Sequence, residues 1–184
     1  MKIYELSIAD LDPRCCHPRI DPKSPWKRER LTSNRFKEIH ELPIPMIVDN
    51  KYPPFDYLLG GQIVSKKAFE LIKSLNKNII GFETQMFYKD EKIWDVFYTI
   101  IVPKYKIFNW DKSDYETSTN SLGEMFLLDI NKLVLDTKKL RNIREDNIFT
   151  MEEEPVGIYC TEKAKQAIEA SDLIGYGFKE IPVE

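Results

Sequence analysis

The chain has 184 residues, of which 42% are hydrophobic and 12% aromatic, so it can bury the core of one domain. Its formal net charge of −3 argues against a surface that binds nucleic acid, and no apolar run approaches the roughly 18 residues of a membrane span. The N-terminal sequence MKIYELSIADLD alternates apolar and charged residues and lacks the hydrophobic segment of a secretory signal. We therefore expect a cytoplasmic protein that binds neither nucleic acid nor membrane.

The N-terminal part of the chain is rich in proline, with four prolines between residues 13 and 25. Proline at this density removes amide donors and prevents regular structure, which predicts an irregular N-terminal arm over residues 1–54. Within it, residues 1–8 and 44–48 have the composition of short strands, and residues 31–42 have the spacing of one short helix. Residues 55–184 form the predicted α+β domain.

Two stretches of that domain, residues 62–86 and 156–183, follow the same plan of strand, helix and strand at an offset of ninety-six residues. Ser65 and Thr161 each stand just before the helix, where a hydroxyl accepts a hydrogen bond from an amide of the first turn. Apolar residues then recur at the i, i+3, i+4 and i+7 spacing of an amphipathic helix. We predict two similar strand–helix–strand units.

The helices of the two units should pack by narrow apolar stripes onto one sheet system, with Ile72 and Ile168 buried. Between the units, residues 79–88 and 93–102 are rich in β-branched and aromatic side chains and flank a polar turn, which predicts a β-hairpin. Residues 111–123 are polar and predict a surface loop. The pattern indicates an α+β fold with a mainly antiparallel or mixed sheet.

The cysteines do not form the pattern of a disulfide framework or a zinc site. Cys15, Cys16 and Cys160 are odd in number, and adjacent cysteines rarely bridge each other, which favours a reducing compartment. His17 follows the first pair, but a structural zinc site needs four ligands in spaced pairs and His40 is the other histidine of the chain. We expect no metal, no cofactor and no catalytic nucleophile–base pair, and therefore not an enzyme.

The predicted surface loop begins with aromatic side chains among acidic ones, namely Trp110, Asp111, Asp114 and Tyr115. Aromatic residues in such a setting are typical of protein-binding hot spots. The alternative is that Trp110 packs into the core at the end of a strand, and the sequence does not decide between the two.

Charge is distributed unevenly along the chain. Residues 23–37 carry six basic side chains against one acidic, and residues 144–154 carry five acidic side chains against one basic. A dipolar surface suits a charged protein partner, although ordinary solvated faces have the same composition. Glu152, Glu153 and Glu154 close the acidic segment. Paired carboxylates could do acid–base chemistry or hold a cation, and the alternative is a solvated turn; we assign the three glutamates to a partner-binding surface.

From residue 55 onward the order of motifs resembles the immunity-protein family of bacterial polymorphic toxin systems, long catalogued as a domain of unknown function. The matching segments are FDYLLGGQIVSKKAFELIK, FYTIIVPKYKIFNWDKSDYE, LLDINKLVLDTKKLRNIREDNIFTM and IYCTEKAKQAIEASDLIGYGFKEI. Particular family features are a helix opened by Val64-Ser65, a loop with Asp111 and Ser113, the pair Ile148-Phe149, and a closing Gly177, Phe178 and Glu180. Thr150 stands where the family usually has an arginine.

The resemblance implies a function without catalysis, in which the chain binds and neutralises a cognate toxin. The toxin would be its partner, and Trp110, Asp111, Asp114, Tyr115 and the three glutamates would contribute to the interface. One alternative is a small-ligand-binding protein or an enzyme of unknown reaction with an acidic pocket near Glu152. Another is a structural module whose arm, residues 13–30, recruits a partner.

Overall fold

The computed structural model describes residues 1–8, 18–20, 43–51, 55–58, 62–123, 125–141, 143, 146–154 and 157–184. Several features singled out in the sequence lie outside the described residues: most of the proline-rich segment, the basic segment 23–37, the predicted helix at 31–42, Cys15, Cys16, His17 and His40.

The described residues form a mixed α/β fold made mostly of sheet. This confirms the predicted combination of helices with a mixed and antiparallel sheet arrangement. The strands are β1 (Ile3–Ile8), β2 (Arg19–Ile20), β3 (Ile44–Ile47), β4 (Tyr57–Leu58), β5 (Ile63–Ser65), β6 (Ile80–Tyr88), β7 (Glu91–Ile101), β8 (Lys104–Tyr105), β9 (Asp114–Thr119), β10 (Met125–Lys132), β11 (Ile148–Met151), β12 (Tyr159–Thr161) and β13 (Tyr176–Ile181). The helices are α1 (Lys66–Leu75), α2 (Thr137–Leu140) and α3 (Glu162–Glu169).

The strands pair into three sheets. One has the order β13-β1-β12-β11-β8, a second has the order β2-β3-β6-β7-β5-β4, and β9 pairs with β10 in a separate two-stranded ribbon. Neighbours are antiparallel except for β11 with β8 and β3 with β6, so the two larger sheets are mixed. The predicted hairpin is β6 and β7, and its turn residues Lys89 and Asp90 have φ values of 48° and 66°, the left-handed region that a tight two-residue turn requires.

Three strands of the predicted N-terminal arm belong to these sheets, namely β1, β2 and β3, and β2 pairs with β3. β1 lies between β12 and β13 and is antiparallel to both, while β3 pairs with β6. Ile3 and Ile44 are fully buried, so burial of their apolar side chains, rather than proline content nearby, decides the structure at these positions. The strands predicted over residues 1–8 and 44–48 are therefore paired with strands from residues 55–184.

Each long helix connects two strands that flank a third. The strands on either side of α1, β5 and β6, both pair with β7, and the strands on either side of α3, β12 and β13, both pair with β1. All four pairings are antiparallel, so the two outer strands of each set are parallel to each other.

The sequence predicts that both helices pack on one sheet system, but in the structure they pack on different sheets. Helix α1 contacts the second sheet through β5 and β7, and α3 contacts the first through β1 and β12. The helices also touch each other, and their buried residues Ala68, Ile72, Ala164 and Ile168 share one hydrophobic cluster. Each apolar stripe is thus covered partly by its own sheet and partly by the other helix, which confirms the predicted burial of Ile72 and Ile168.

Both helices begin with the predicted hydroxyl cap. The amide of Ala68 donates to Ser65 Oγ at 3.1 Å, and the amide of Ala164 donates to Thr161 Oγ1 at 3.4 Å. Backbone hydrogen bonds also hold the two capping residues. The amide of Ser65 donates to the carbonyl of Asp56, and the amide of Thr161 donates to the carbonyl of Asn147, each at 2.9 Å.

Asp56 and Asn147 also link the two long helices to each other. The Asp56 carboxylate accepts a hydrogen bond from Ser65 Oγ and another from the amide of Ile174, beyond the end of α3, at 2.8 Å. Asn147 accepts from Thr161 Oγ1 at 3.0 Å and donates from Nδ2 to the carbonyl of Leu75, at the end of α1, at 2.9 Å. Each helix start is therefore tied to the end of the opposite helix by one polar side chain.

Candidate functional site

A tight turn after residue 108 positions Trp110, and Asn109 holds that turn. The amide of Asp111 donates to Asn109 Oδ1 at 3.2 Å, and the amide of Ser113 donates to the Asn109 carbonyl at 3.0 Å. Ser113 then anchors the turn to the body of the protein, because its hydroxyl donates to the Val134 carbonyl at 3.1 Å and accepts from the Val134 amide at 3.0 Å.

Trp110 forms an aromatic cluster with Phe108 and Tyr115. Its ring packs edge-on against the fully buried Phe108, with centroids 4.7 Å apart, and against Tyr115, with centroids 5.2 Å apart. Nevertheless 37% of Trp110 is exposed to solvent. The two interpretations left open by the sequence are therefore both partly true: the ring is fixed by the core and still presents a surface.

Exposed acidic side chains lie close in sequence to this aromatic cluster. Asp111 and Asp114 are exposed, as is Glu116 on β9, whereas Lys112 forms an ion pair with the side chain of Glu184 at 3.7 Å. The structure thus brings together four predicted site residues, Trp110, Asp111, Asp114 and Tyr115. The segment thus combines a partly exposed aromatic ring, packed against two others, with exposed carboxylates.

The three glutamates after β11 have different environments. Glu152 is exposed and its carboxylate lies 3.7 Å from Lys106 Nζ, whereas Glu154 Oε2 accepts from the Gly157 amide at 3.1 Å and from the Tyr159 hydroxyl at 3.5 Å. Burial, and then the nearby Glu154, raises the pKa of Tyr159 well above its usual value. Glu153 is half-buried, with one carboxylate oxygen that contacts no donor among the residues described. Glu154 therefore supports the local turn, and Glu152 is the most exposed of the three.

The glutamate segment and the aromatic cluster are connected through one stretch of backbone. Lys106, the ion-pair partner of Glu152, precedes Trp110 by four residues, a span of at most about 14 Å even when extended. The Glu152 amide also donates to the carbonyl of Tyr105 at 3.0 Å. Glu152 and Trp110 consequently belong to neighbouring parts of the structure.

The ribbon of β9 and β10 was not predicted. The polar composition of residues 111–123 predicts a surface loop, but residues 114–119 form a strand paired with β10. The alternation of Tyr115, Thr117 and Thr119 was the available signal, since aromatic and β-branched residues favour strands. Tyr115, Leu127 and Ile130 pack against a buried cluster that includes Phe108 and Leu135, which attaches the ribbon to the core.

The described residues offer little for covalent or metal chemistry. Burial raises the pKa of the Cys160 thiol to about 12, so it is protonated at neutral pH and a poor nucleophile. Among the residues with described positions, no group of three His, Cys, Asp or Glu side chains is arranged to hold a metal ion. Within the same part of the chain, no helix is long and apolar enough to cross a bilayer.

The arrangement around Trp110 has the chemistry of a protein-binding surface: a fixed aromatic ring, partly exposed, with exposed carboxylates beside it. Comparison with known proteins adds no further assignment, because no family model matches the chain and no curated protein matches it either.

Proposed function

We propose that this chain is an immunity protein, which binds a cognate bacterial toxin and neutralises it without catalysis. The observation that carries the proposal is Trp110, a ring held edge-on by Phe108 and Tyr115 yet exposed over more than a third of its surface. A tryptophan that is already ordered loses little conformational entropy on binding, so contacts to its exposed surface contribute directly to affinity.

The charges beside Trp110 support the same function. Exposed Asp111 and Asp114 would attract a positively charged partner and would accelerate association. A toxin that acts on negatively charged nucleic acid would need a basic surface to do so, and an acidic inhibitor can cover such a surface. Glu152, on the neighbouring segment, would extend the negative field.

The order of elements supports the proposal through the resemblance described for residues 55–184. We further propose that the two strand–helix–strand units are structural counterparts, since each helix connects two strands that flank an antiparallel third and each begins at a capping hydroxyl. The units would then form the scaffold common to the family, with the ribbon and its turn as the variable, partner-specific part.

We place this activity in the cytoplasm, because an inhibitor that acts by mass action must share a compartment with its target. A toxin directed to the cytoplasm should be neutralised by the untagged chain, and the same toxin directed only to the periplasm should not. Protection against the periplasmic form alone would contradict this location.

The test of function uses the open reading frames that flank the gene. Each is expressed in a sensitive host with and without this chain, and growth is measured. For a toxic product that the chain neutralises, the purified toxin domain is titrated with the chain by calorimetry. We expect a stoichiometric complex, and we expect Trp110→Ala to raise its Kd by about thirtyfold or more, as at a hot-spot residue.

Trp94→Ala is the matched control, since Trp94 is also partly buried but packs against a different hydrophobic cluster. It should leave the Kd within about threefold of the unmodified value, which lies inside the range of neutral interface changes. If the chain binds a metabolite near Glu152 and rescues no toxin, the ligand-binding alternative replaces this proposal.

A further inference from the structure

The ribbon of β9 and β10 exposes a row of large apolar side chains. Leu122 in its turn is 81% exposed, and Met125, Phe126 and Leu128 on β10 are 64%, 47% and 62% exposed. We call these four residues the ribbon patch. Contiguous exposed apolar residues on an otherwise polar surface mark interaction sites more often than isolated ones do.

Two members of the patch, Phe126 and Leu128, do not belong to the set of ribbon residues that packs on the protein. Leu127 and Ile130 of the same strand are half-buried and contact the cluster around Phe108 and Leu135. Phe126 and Leu128 alternate with Leu127 and stay exposed, so the core does not need them. Burial in the core therefore does not explain why these two side chains are apolar.

The exposed surface of Trp110 alone is too small to form a stable protein interface. A standard protein interface buries about 800 Å² on each partner, and a single tryptophan supplies at most about 250 Å². The ribbon starts beside Trp110, since Tyr115 of the aromatic cluster lies on β9, and its paired strands extend about 17 Å further. The ribbon patch and the aromatic cluster can therefore form one continuous interface.

The charges of the ribbon indicate the kind of partner. Residues 114–132 carry four acidic side chains against one basic. Two of the acidic residues, Glu116 and Asp129, are directly opposite each other across the strands, an arrangement that destabilises a ribbon through like-charge repulsion. A lysine or arginine from a partner, placed between these carboxylates, would relieve that repulsion.

The same features disfavour two other occupants. A second copy of the chain would bring a second acidic ribbon against the first, which adds repulsion. A strand added at the edge of β10 would meet irregular pairing, because the register shifts between Leu127 and Asp129 and again between Ile130 and Lys132. Such bulges disrupt the regular hydrogen-bonding edge that strand addition uses.

We infer that the ribbon patch, together with Glu116 and Asp129, is a docking surface for an apolar protein surface bordered by lysine and arginine. This inference rests on the proposed function, because the partner surface is taken to belong to the toxin. The ribbon would contribute the largest part of the contact, and Trp110 would anchor its base.

The experiment compares four versions of the full chain in binding to the purified toxin domain encoded beside the gene. They are the unmodified chain, Phe126→Thr/Leu128→Thr, Glu116→Gln/Asp129→Asn, and the control Ile80→Thr/Ile174→Thr. The control removes two apolar residues of similar exposure, 52% and 49%, that lie outside the ribbon. Circular dichroism and urea unfolding verify that each variant is folded.

We expect the apolar variant to raise the Kd at least tenfold and the control to change it less than threefold. The charge variant should raise the Kd and reduce its dependence on salt, while unfolding requires the same urea concentration or more, because a like-charge pair has been removed. A purely structural role of these carboxylates would not separate binding from stability in this way.

Three results would overturn the inference. If the unmodified chain binds the toxin and the apolar variant binds equally well, the docking surface lies elsewhere and the proposed function survives. If the unmodified chain binds no toxin, both fall. If sedimentation shows that the unmodified chain dimerises and that Phe126→Thr/Leu128→Thr abolishes the dimer, the occupant is a second copy.

Discussion

Replacement of Ile168 by alanine tests the central packing of the fold. Ile168 lies on α3, is buried, and shares a hydrophobic cluster with Ile72 of α1. Because the two helices contact each other and their buried residues share one cluster, a cavity at this position would be lined by close-packed side chains.

The expected cost follows from the atoms removed. Isoleucine to alanine deletes three carbon atoms, and at about 0.8 kcal/mol for each the transfer term alone is about 2.4 kcal/mol. The cavity left behind adds to this, so the free energy of unfolding should fall by roughly 2–5 kcal/mol. For a chain of this length that corresponds to a decrease in Tm of roughly 4–20 °C.

The assay is urea unfolding of Ile168→Ala, Ile72→Ala and the double variant, with Ile174→Ala as the exposed control. The control should change the free energy of unfolding by less than about 0.5 kcal/mol, as surface substitutions do. The two buried substitutions should be non-additive by about 0.5 kcal/mol or more, since the residues line one cluster. An unchanged midpoint for Ile168→Ala, or strict additivity, would refute a shared core between the helices.

Three further predictions concern a glycine, a tyrosine and salt. Gly123 and Gly175 both have positive φ, but an added Cβ would overlap Phe55 only at Gly175 and meets open space at Gly123. In urea unfolding, Gly123→Ala should therefore cost about 1–2 kcal/mol for its backbone conformation, and Gly175→Ala a further 1–3 kcal/mol or so. Burial, and then Glu5, raises the pKa of Tyr57 from 10.0 to about 12. The unfolded chain therefore loses this proton first, and stability should fall by up to about 1.4 kcal/mol per pH unit between those values; Tyr57→Phe should flatten the profile measured by urea unfolding. The association rate with the toxin, measured by stopped flow, should fall as salt is raised, because exposed charges are screened beyond about 10 Å at 0.1 M salt; a rate independent of salt would exclude charge steering.

The helices and the hairpin could be predicted from the sequence because local rules determine them. The hydroxyl before each helix satisfies an orphan amide, and the apolar stripe has one way to be buried, so Ser65, Thr161, Ile72 and Ile168 occupy the expected places. Local rules do not determine which part of the protein packs against the apolar stripe of each helix. The two helices meet each other across two sheets, and that arrangement depends on long-range hydrogen bonds such as that from Ile174 to Asp56.

The aromatic part of the site could be predicted in composition but not in geometry. The sequence places Trp110 and Tyr115 five residues apart, yet their contact depends on Asn109 folding the chain into a turn and on Ser113 bonding to the distant Val134. The ribbon patch was missed for a different reason. The residues from Met125 onward are strongly apolar, which usually indicates a core strand, and no local feature shows that Phe126 and Leu128 face solvent.

Under the proposed function, stability and recognition would use different parts of this chain. The helix stripes and the reciprocal bonds of Asp56 and Asn147 connect the two larger sheets, and none of these contacts involves the ribbon. Tyr115, Leu127 and Ile130 attach the ribbon to the core. The exposed side chains Phe126 and Leu128 take no part in this packing. These two residues can change with the partner at little cost in folding free energy. If the chain binds a toxin as proposed, this separation is a physical reason to look for the interface on the ribbon first.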